Sequence, residues 1–313
     1  MALAFIFPGQ GSQAIGMGQA LKDAYPAARE VFEAVDEALG ESLSGLMADG
    51  PMDTLTLTEN AQPAIMAVSI AAMRALKAEF GVDVSTARFV AGHSLGEYTA
   101  LCAAGAISLP DAARLLRLRG RAMQQAVPVG EGAMAAMLGA GMDQAEAAVA
   151  AGQAHGVVAI ANDNAPGQIV ISGAAAAVEA ALEAAKEHGV RRTMMLPVSA
   201  PFHCPMMSPA ADAMKIALKH VSIAAPSVPL IANVTAAPVT DPETIRAHLV
   251  EQVTGRVRWR ESIDVMHGQG VTRFAEAGAK VLVTMLRRHI PEAEGVALAG
   301  PEELEAFAAS LKG

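Results

Sequence analysis

The hexapeptide Gly92-His93-Ser94-Leu95-Gly96-Glu97 constrains this chain more than any other stretch. It follows the apolar run Phe89-Val90-Ala91 and precedes a small-residue helical stretch from Tyr98 to Gly105. Strand, sharp turn and helix form the setting in which the serine of G-x-S-x-G stands above a sheet edge as a nucleophile. Two glycines bracket the serine because such a turn packs backbone against backbone on both sides. The hydroxyl also faces the start of the following helix, where unpaired N–H groups can stabilise an oxyanion. The pattern alone recurs by chance, so its setting carries the reading. The alternative is a tight strand-to-helix turn with no chemistry.

A chain of 313 residues can hold one large domain or two modest ones. It is 52% hydrophobic but only 4% aromatic, so alanine and methionine supply much of the apolar volume. The net charge of −9 argues against nucleic acid as a partner. Two cysteines, Cys102 and Cys204, give no disulfide framework and point to a reducing cytoplasm. The start, Met1 to Phe7, lacks basic residues and stops at Pro8-Gly9, which reads as a buried strand and not as a secretory signal. No apolar stretch approaches the roughly 20 residues of a membrane span. A soluble cytoplasmic protein with no membrane partner is expected.

Helical spacing covers residues 19–39, 61–79 and 110–126, the last opened by Pro110 and Asp111. Strands are predicted at the N-terminus and at 88–92. A distinct segment follows, with a strand at 133–138, a helix at 143–153, strands at 157–161 and 168–172, a helix at 174–188 and a strand at 192–198. That β-α-β-β-α-β order is the split arrangement of a ferredoxin-like unit. The reading is therefore an α/β body with a mainly parallel sheet, residues 1–126 and 200–313, interrupted by a small inserted domain at 127–199. Strands near 228–233 and 271–275 and helices at 241–253, 259–268 and 278–289 complete the body.

A nucleophilic serine needs a base. Of eight histidines, most sit in polar helical stretches, where solvation is expected. His203 differs, because it lies in the irregular segment Ser199-Ala200-Pro201-Phe202-His203-Cys204-Pro205, where the insert rejoins the body. Loops on a rigid scaffold are where catalytic groups concentrate. A general base and a structural loop histidine both fit that position. His93 adjoins Ser94, and its side chain is expected to point away and brace the turn.

In the 110–126 helix, Arg114, Arg117 and Arg121 share one face, and Arg119 falls on the opposite one amid Ala112, Leu115, Leu116 and Met123. An unpaired guanidinium on an apolar face is costly, so it needs an anion. A core Asp or Glu would serve, as would a substrate carboxylate gripped by the planar fork. Pattern alone leaves both open.

Gly9 to Ala14 fits a loose dinucleotide fingerprint, but Gly16 and Gly18 break the helix that such a site requires. The better reading is a loop whose backbone N–H groups approach the serine from the neighbouring strand. Asn162 to Gly167 reads as a turn. No histidine, cysteine and carboxylate set has zinc spacing, so no metal is expected.

Together these positions resemble the malonyl-CoA:acyl carrier protein transacylases, acyltransferases of type II fatty acid synthesis. The resemblance runs over essentially the whole chain. It rests on Phe7-Pro8-Gly9-Gln10-Gly11-Ser12-Gln13, Gly92 to Glu97, Arg117-Leu118-Arg119-Gly120, Asn162 to Gly167, Ala200-Pro201-Phe202-His203 and Glu251-Gln252. It implies an α/β-hydrolase-like core. It further implies that Ser94 is the nucleophile, that His203 is the base and that Arg119 holds the malonyl carboxylate. The N–H groups of Gln10 and Leu95 would form the oxyanion hole, and the Gln252 carbonyl would orient His203 in place of a triad acid. Phe202, with Met123, His93 and Asn162, would line the substrate pocket, the phenyl disfavouring branched acyl groups. Malonyl-CoA would be the donor, no cofactor would be bound, and the phosphopantetheine arm would arrive on the acceptor. That acceptor, holo acyl carrier protein, is typically acidic, so a local basic patch is needed. Arg256, Arg258, Arg260, Lys280, Arg287 and Arg288 are the candidates, although solvated helix faces would look the same. Rival readings are an α/β serine hydrolase or thioesterase, a trans-acting acyltransferase of polyketide synthesis and a non-catalytic synthase subunit.

Overall fold

The apolar N-terminal run forms a strand buried on both faces, as a central parallel strand requires. The computed structural model describes residues 2–198 and 200–312. Met1, Ser199 and Gly313 lie outside the described residues, and with them the start of the predicted first strand and the serine that opens the rejoining segment. Among the described residues the strands are β1 (Ala2–Phe7), β2 (Phe89–Gly92), β3 (Gly132–Leu138), β4 (Val158–Ala165), β5 (Gln168–Ala174), β6 (Arg192–Met195), β7 (Leu230–Ile231), β8 (Pro238–Val239), β9 (Val271–Ala277) and β10 (Glu294–Leu298).

Six strands form one sheet in the order β10-β9-β1-β2-β7-β8, parallel except for the β7–β8 pair. Side chains alternate across it with period two. Leu3, Phe5, Phe7 and Val90 enter a large core with the helices Pro26–Leu39, Thr58–Phe80 and Leu109–Gln125. Ala4, Ile6, Phe89 and Ala91 enter a second core under Trp259–Gly268 and Leu282–His289. Helices on both faces of a mainly parallel sheet define a mixed α/β architecture.

The other four strands form a separate antiparallel sheet in the order β4-β5-β3-β6. Ala135, Met137, Ile169 and Ile171 pack on helices Met142–Gly152 and Ala175–Glu187. Met134, Ala136 and Val170, on the other face, join the large core of the body. This sheet therefore roofs the carboxyl ends of β1 and β2.

Several boundaries differ from the sequence expectation. The 19–39 helix is two, Gln19–Ala24 and Pro26–Leu39, because Pro26 starts a new helix after an extended Tyr25. Asn162 to Ala165 are not a turn but the end of β4, and only Pro166-Gly167 reverses the chain. Two register shifts each leave one extra residue on β4, Ala161 and Asn164, without a partner on β5, and Asn162 bridges to Val257 across to the body. The helix expected from 278 begins at Leu282, because the buried Glu276 carboxylate accepts the Val281 and Val283 N–H groups and caps it there. Strand 192–198 stops at Met195, and Leu196, Pro197 and Val198 turn into the cavity described below.

Candidate active site

β2 ends at Gly92, and the chain turns through Ser94 at φ 53° before helix Gly96–Ala103 begins. Space dictates both glycines. A Cβ on Gly92 would lie 1.9 Å from the Gly96 carbonyl, and one on Gly96 would lie 2.3 Å from the Phe7 carbonyl oxygen of β1. Asn233, just after β7, clamps the turn. Its Oδ1 accepts the Ser94 N–H at 2.8 Å and its Nδ2 donates to the Gly92 carbonyl at 2.7 Å.

Ser94 Oγ lies 2.7 Å from His203 Nε2, and His203 Nδ1 lies 2.9 Å from the Gln252 carbonyl oxygen. A carbonyl can only accept, so Nδ1 carries the proton and Nε2 is the free base facing the hydroxyl. His203 is 4% exposed and also has positive φ, 58°. Burial, reinforced by the nearby Arg119 charge, drives its pKa down to about 3. The imidazole is therefore neutral at any physiological pH. The expectation of solvated histidines holds for His155, His188 and His220, while His289 is mostly buried, 2.7 Å from Asp264.

Arg119 is 1% exposed. Its Nη1 donates to Gln62 Oε1 at 2.9 Å, and its Nη2 to Gln252 Oε1 at 2.9 Å and to Ser94 Oγ at 3.2 Å. The guanidinium sits 5.7 Å from the Tyr98 ring centroid. Among the described residues no carboxylate lies within ion-pair distance of it. Of the two partners left open by the pattern, a core carboxylate is thus not in contact. Gly120 makes this arrangement possible, since a Cβ there would meet Glu59 Cα at 2.5 Å where the two long helices touch. Arg117, expected beside Arg114 and Arg121 on one face, is buried too, but it is paired with Asn60 and Glu41.

These groups open on a cavity of about 560 Å³, lined also by Gln10, His93, Leu95, Met123, Asn162 and Phe202. The backbone N–H groups of Gln10 and Leu95 have no hydrogen-bond partner among the described residues. His93 turns away from Ser94. Its Nε2 lies 2.8 Å from Asn164 Oδ1 and its ring stands edge-on to Trp259, and burial lowers its pKa. The set offers a hydroxyl against a neutral base, free N–H donors and one buried positive charge. Such a site suits acyl transfer from a carboxylated acyl group.

A family model described as an acyl transferase domain matches residues 4–299. A malonyl CoA-acyl carrier protein transacylase of Bacillus subtilis is 46% identical over 99% of this chain and 97% of that protein. The chain belongs to the malonyl-CoA:acyl carrier protein transacylase family. Among solved structures, an acyl-carrier-protein-S-malonyltransferase from Bartonella henselae is 53% identical with a TM-score of 0.97, covering 100% of both chains. A malonyl-transacylase in complex with a type II polyketide synthase acyl-carrier protein is 36% identical over 99% of this chain and 100% of the other, with a TM-score of 0.95.

Three residues of this transacylase-family site escaped sequence reasoning. Gln62 and Asn233 carry no signal outside the fold, since only helix contact and the end of β7 bring them in. Glu97 stands inside the serine hexapeptide, but no local pattern signals its burial or its contacts. It is 1% exposed, and burial raises its pKa to about 7 despite bonds from Gln252 and Asn233 and the Arg119 charge.

The six basic docking candidates divide in two. Arg258 pairs with Glu261, Arg260 lies 2.8 Å from Asp163, and Arg256 lies 3.6 Å from Glu261. Lys280, Arg287 and Arg288 are exposed, and no ion pair involves them among the described residues. Neither cysteine is in a disulfide, and burial pushes the Cys102 thiol up to about 12. Among the described residues no cluster of histidine, cysteine or carboxylate side chains could hold a metal, and no helix is long and apolar enough to cross a membrane.

Proposed function

We propose that this chain transfers the malonyl group from malonyl-CoA to the phosphopantetheine thiol of acyl carrier protein, through a malonyl ester on Ser94. One observation carries this reading: a buried guanidinium with no carboxylate in contact, 3.2 Å from the serine hydroxyl. It is a place for the free carboxylate of a dicarboxylic acyl group. Ser94 Oγ gives its proton to His203 Nε2 as it attacks the thioester carbon. The oxyanion accepts from the N–H groups of Gln10 and Leu95, and the thiolate of CoA leaves with the proton from His203. The carrier thiol then attacks the serine ester by the same steps in reverse, so the kinetics are ping-pong. The Gln252 carbonyl holds the imidazole tautomer throughout, in the place a triad acid occupies in hydrolases. The reaction needs no cofactor beyond its two substrates, and both belong to the cytoplasm.

Phe202, with Met123, His93 and Asn162, shapes the acyl pocket, the phenyl limiting branching at the malonyl carbon. Lys280, Arg287 and Arg288 supply positive charge for an acidic carrier, while Arg256, Arg258 and Arg260 are largely neutralised by their own partners. The body, residues 1–126 and 200–313, is read as an α/β-hydrolase-like core, and residues 127–199 as a ferredoxin-like insert. The order β6-β3-β5-β4 supports that second assignment.

Incubation with radiolabelled malonyl-CoA and holo carrier protein tests the reading. Label is expected on the carrier, with a malonyl adduct on Ser94 detectable by intact mass before the carrier is added. Rapid release of free malonate, with no carrier labelling, would make the protein a hydrolase.

A further inference from the structure

Glu97 is a buried carboxylate that the transfer steps do not use. Its Oε2 accepts from Gln252 Nε2 at 2.7 Å and from the Asn233 N–H at 3.2 Å, while its Oε1 has no partner among the described residues. The same Gln252 side chain turns its own Oε1 to Arg119. One amide thus joins a buried carboxylate to a buried guanidinium, and neither has an ion-pair partner of its own. The charged and titratable groups around Glu97 are few. Arg119 comes from the Leu109–Gln125 helix, and Tyr98, on the helix of Glu97 itself, is held neutral by burial. His203, reached through the Gln252 backbone, is neutral as well.

We propose that Glu97 is the resident counter-charge of Arg119, and that the arriving malonyl carboxylate takes over this role while Glu97 accepts a proton from solvent on Oε1. The proposal rests on Arg119 being the malonyl anchor. The charge balance closes, because one negative charge enters with the acyl group and one proton enters from water. Two carboxylates competing for one buried guanidinium would repel, and the one that yields is the one that burial already disfavours as an anion. Protonation of Oε1 leaves both bonds to Oε2 in place, so Gln252 keeps its hold on Arg119 and His203. A site charged in this way admits malonyl groups at a proton cost that rises with pH. An acetyl group brings no carboxylate and meets no such cost.

The test is the ratio of kcat/KM for malonyl-CoA to that for acetyl-CoA, measured over about pH 6 to 9. In the native protein the ratio should fall with rising pH, by up to about tenfold per pH unit above neutrality. In Glu97→Gln, which keeps an acceptor for Gln252 but cannot ionise, the ratio should change less than about twofold over the same range. A flat native ratio, or a Gln variant with the native slope, overturns the proposal. Arg119→Ala separates the two readings. If it keeps the malonyl preference, the anchor assignment falls and takes this proposal with it. If it loses that preference while the native ratio is flat, only the Glu97 proposal falls. Should the Gln variant not fold, infrared difference spectra of the native protein loaded with carbon-13-labelled malonyl-CoA decide. A new protonated-carboxyl band at the unlabelled frequency supports the proposal, and its absence overturns it.

Discussion

Around helix Trp259–Gly268, basic side chains meet acids. Arg260 lies 2.8 Å from Asp163 and 3.2 Å from Asp264, and His289 lies 2.7 Å from Asp264. Over the ends of β1 and β2 the same residue types meet amides and a carbonyl instead, Arg119 against Gln62 and Gln252, and His203 against the Gln252 backbone. Burial alone does not separate the regions, because the His289 side chain against Asp264 is also mostly buried, at 9% exposed. The partner separates them. A charge in contact with an internal carboxylate belongs to the fold, whereas one touched only by neutral dipoles, with Glu97 a whole amide away, keeps its contact face for whatever enters the cavity.

The strongest consequence falls on the unpaired guanidinium itself. Arg119→Ala should lower malonyl transfer by at least about a hundredfold while sparing acetyl transfer. Arg260→Ala, which orphans the buried Asp163, should instead lower thermal stability and leave the ratio of the two acyl groups unchanged. Steady-state assays with both CoA thioesters, alongside melting curves, read the two outcomes. Equal loss of malonyl and acetyl transfer in Arg119→Ala would make that residue structural too.

The division between the regions was only half legible in the sequence. Ser94 and its glycines were readable because a strained turn demands them locally, and the structure finds the close approaches that forbid a Cβ. Arg119 was readable as an oddity, a cation on an apolar face, but its lack of a carboxylate needed Gln62, from a helix 57 positions away in sequence, to be in place. Asn162 to Ala165 misled, since their turn-forming side chains were overridden by pairing with β5 and by the bridge to Val257. The helices Leu43–Asp49 and Ser208–Leu218, and the strand β10, were missed because short elements gain most of their stability from tertiary packing, which no local pattern records.

A second effect, about tenfold, comes from the cavity wall. Phe202→Ala should raise the methylmalonyl-to-malonyl ratio of kcat/KM by about that factor, since one methyl group in a tight apolar pocket is worth about 1–3 kcal/mol. Because Arg119 is untouched, acetyl discrimination should persist. Loss of both selectivities together would mean that the phenyl ring positions the guanidinium and does not merely fill space.

A few-fold effect is expected at the surface, where the same contrast between paired and unpaired charge recurs. Arg287→Glu with Arg288→Glu should lower kcat/KM for the carrier protein about threefold to tenfold at low salt and less at high salt. Malonyl-Ser94 formation should not change. Arg258→Glu is expected to do less to the carrier, because Glu261 already neutralises that arginine. A larger loss from Arg258→Glu would move the docking face to the Trp259 helix.

At His203 no change is expected where an ordinary histidine would impose one. An exposed imidazole titrates near 6.5, but His203, buried and close to Arg119, is held down to about 3. Single-turnover malonylation of Ser94, read as CoA release at saturating malonyl-CoA, should therefore vary less than about twofold as pH falls from about 7.5 to 5. Stability behaves differently. Between about 6.5 and 3 the unfolded chain binds a proton at this position that the native one refuses, so His203 destabilises the fold progressively as pH drops through that window. Glu97, raised from 4.5 to about 7, has the opposite sign: its contribution is complete below 4.5 and is lost as pH rises to about 7. Melting temperature should thus change little over the range where the two overlap, while His203→Gln, which removes only the first, should leave stability falling from about pH 4.5 towards 7. An acid limb in the malonylation rate centred near 6.5 would mean that water reaches the imidazole and that Arg119's charge does not act on it.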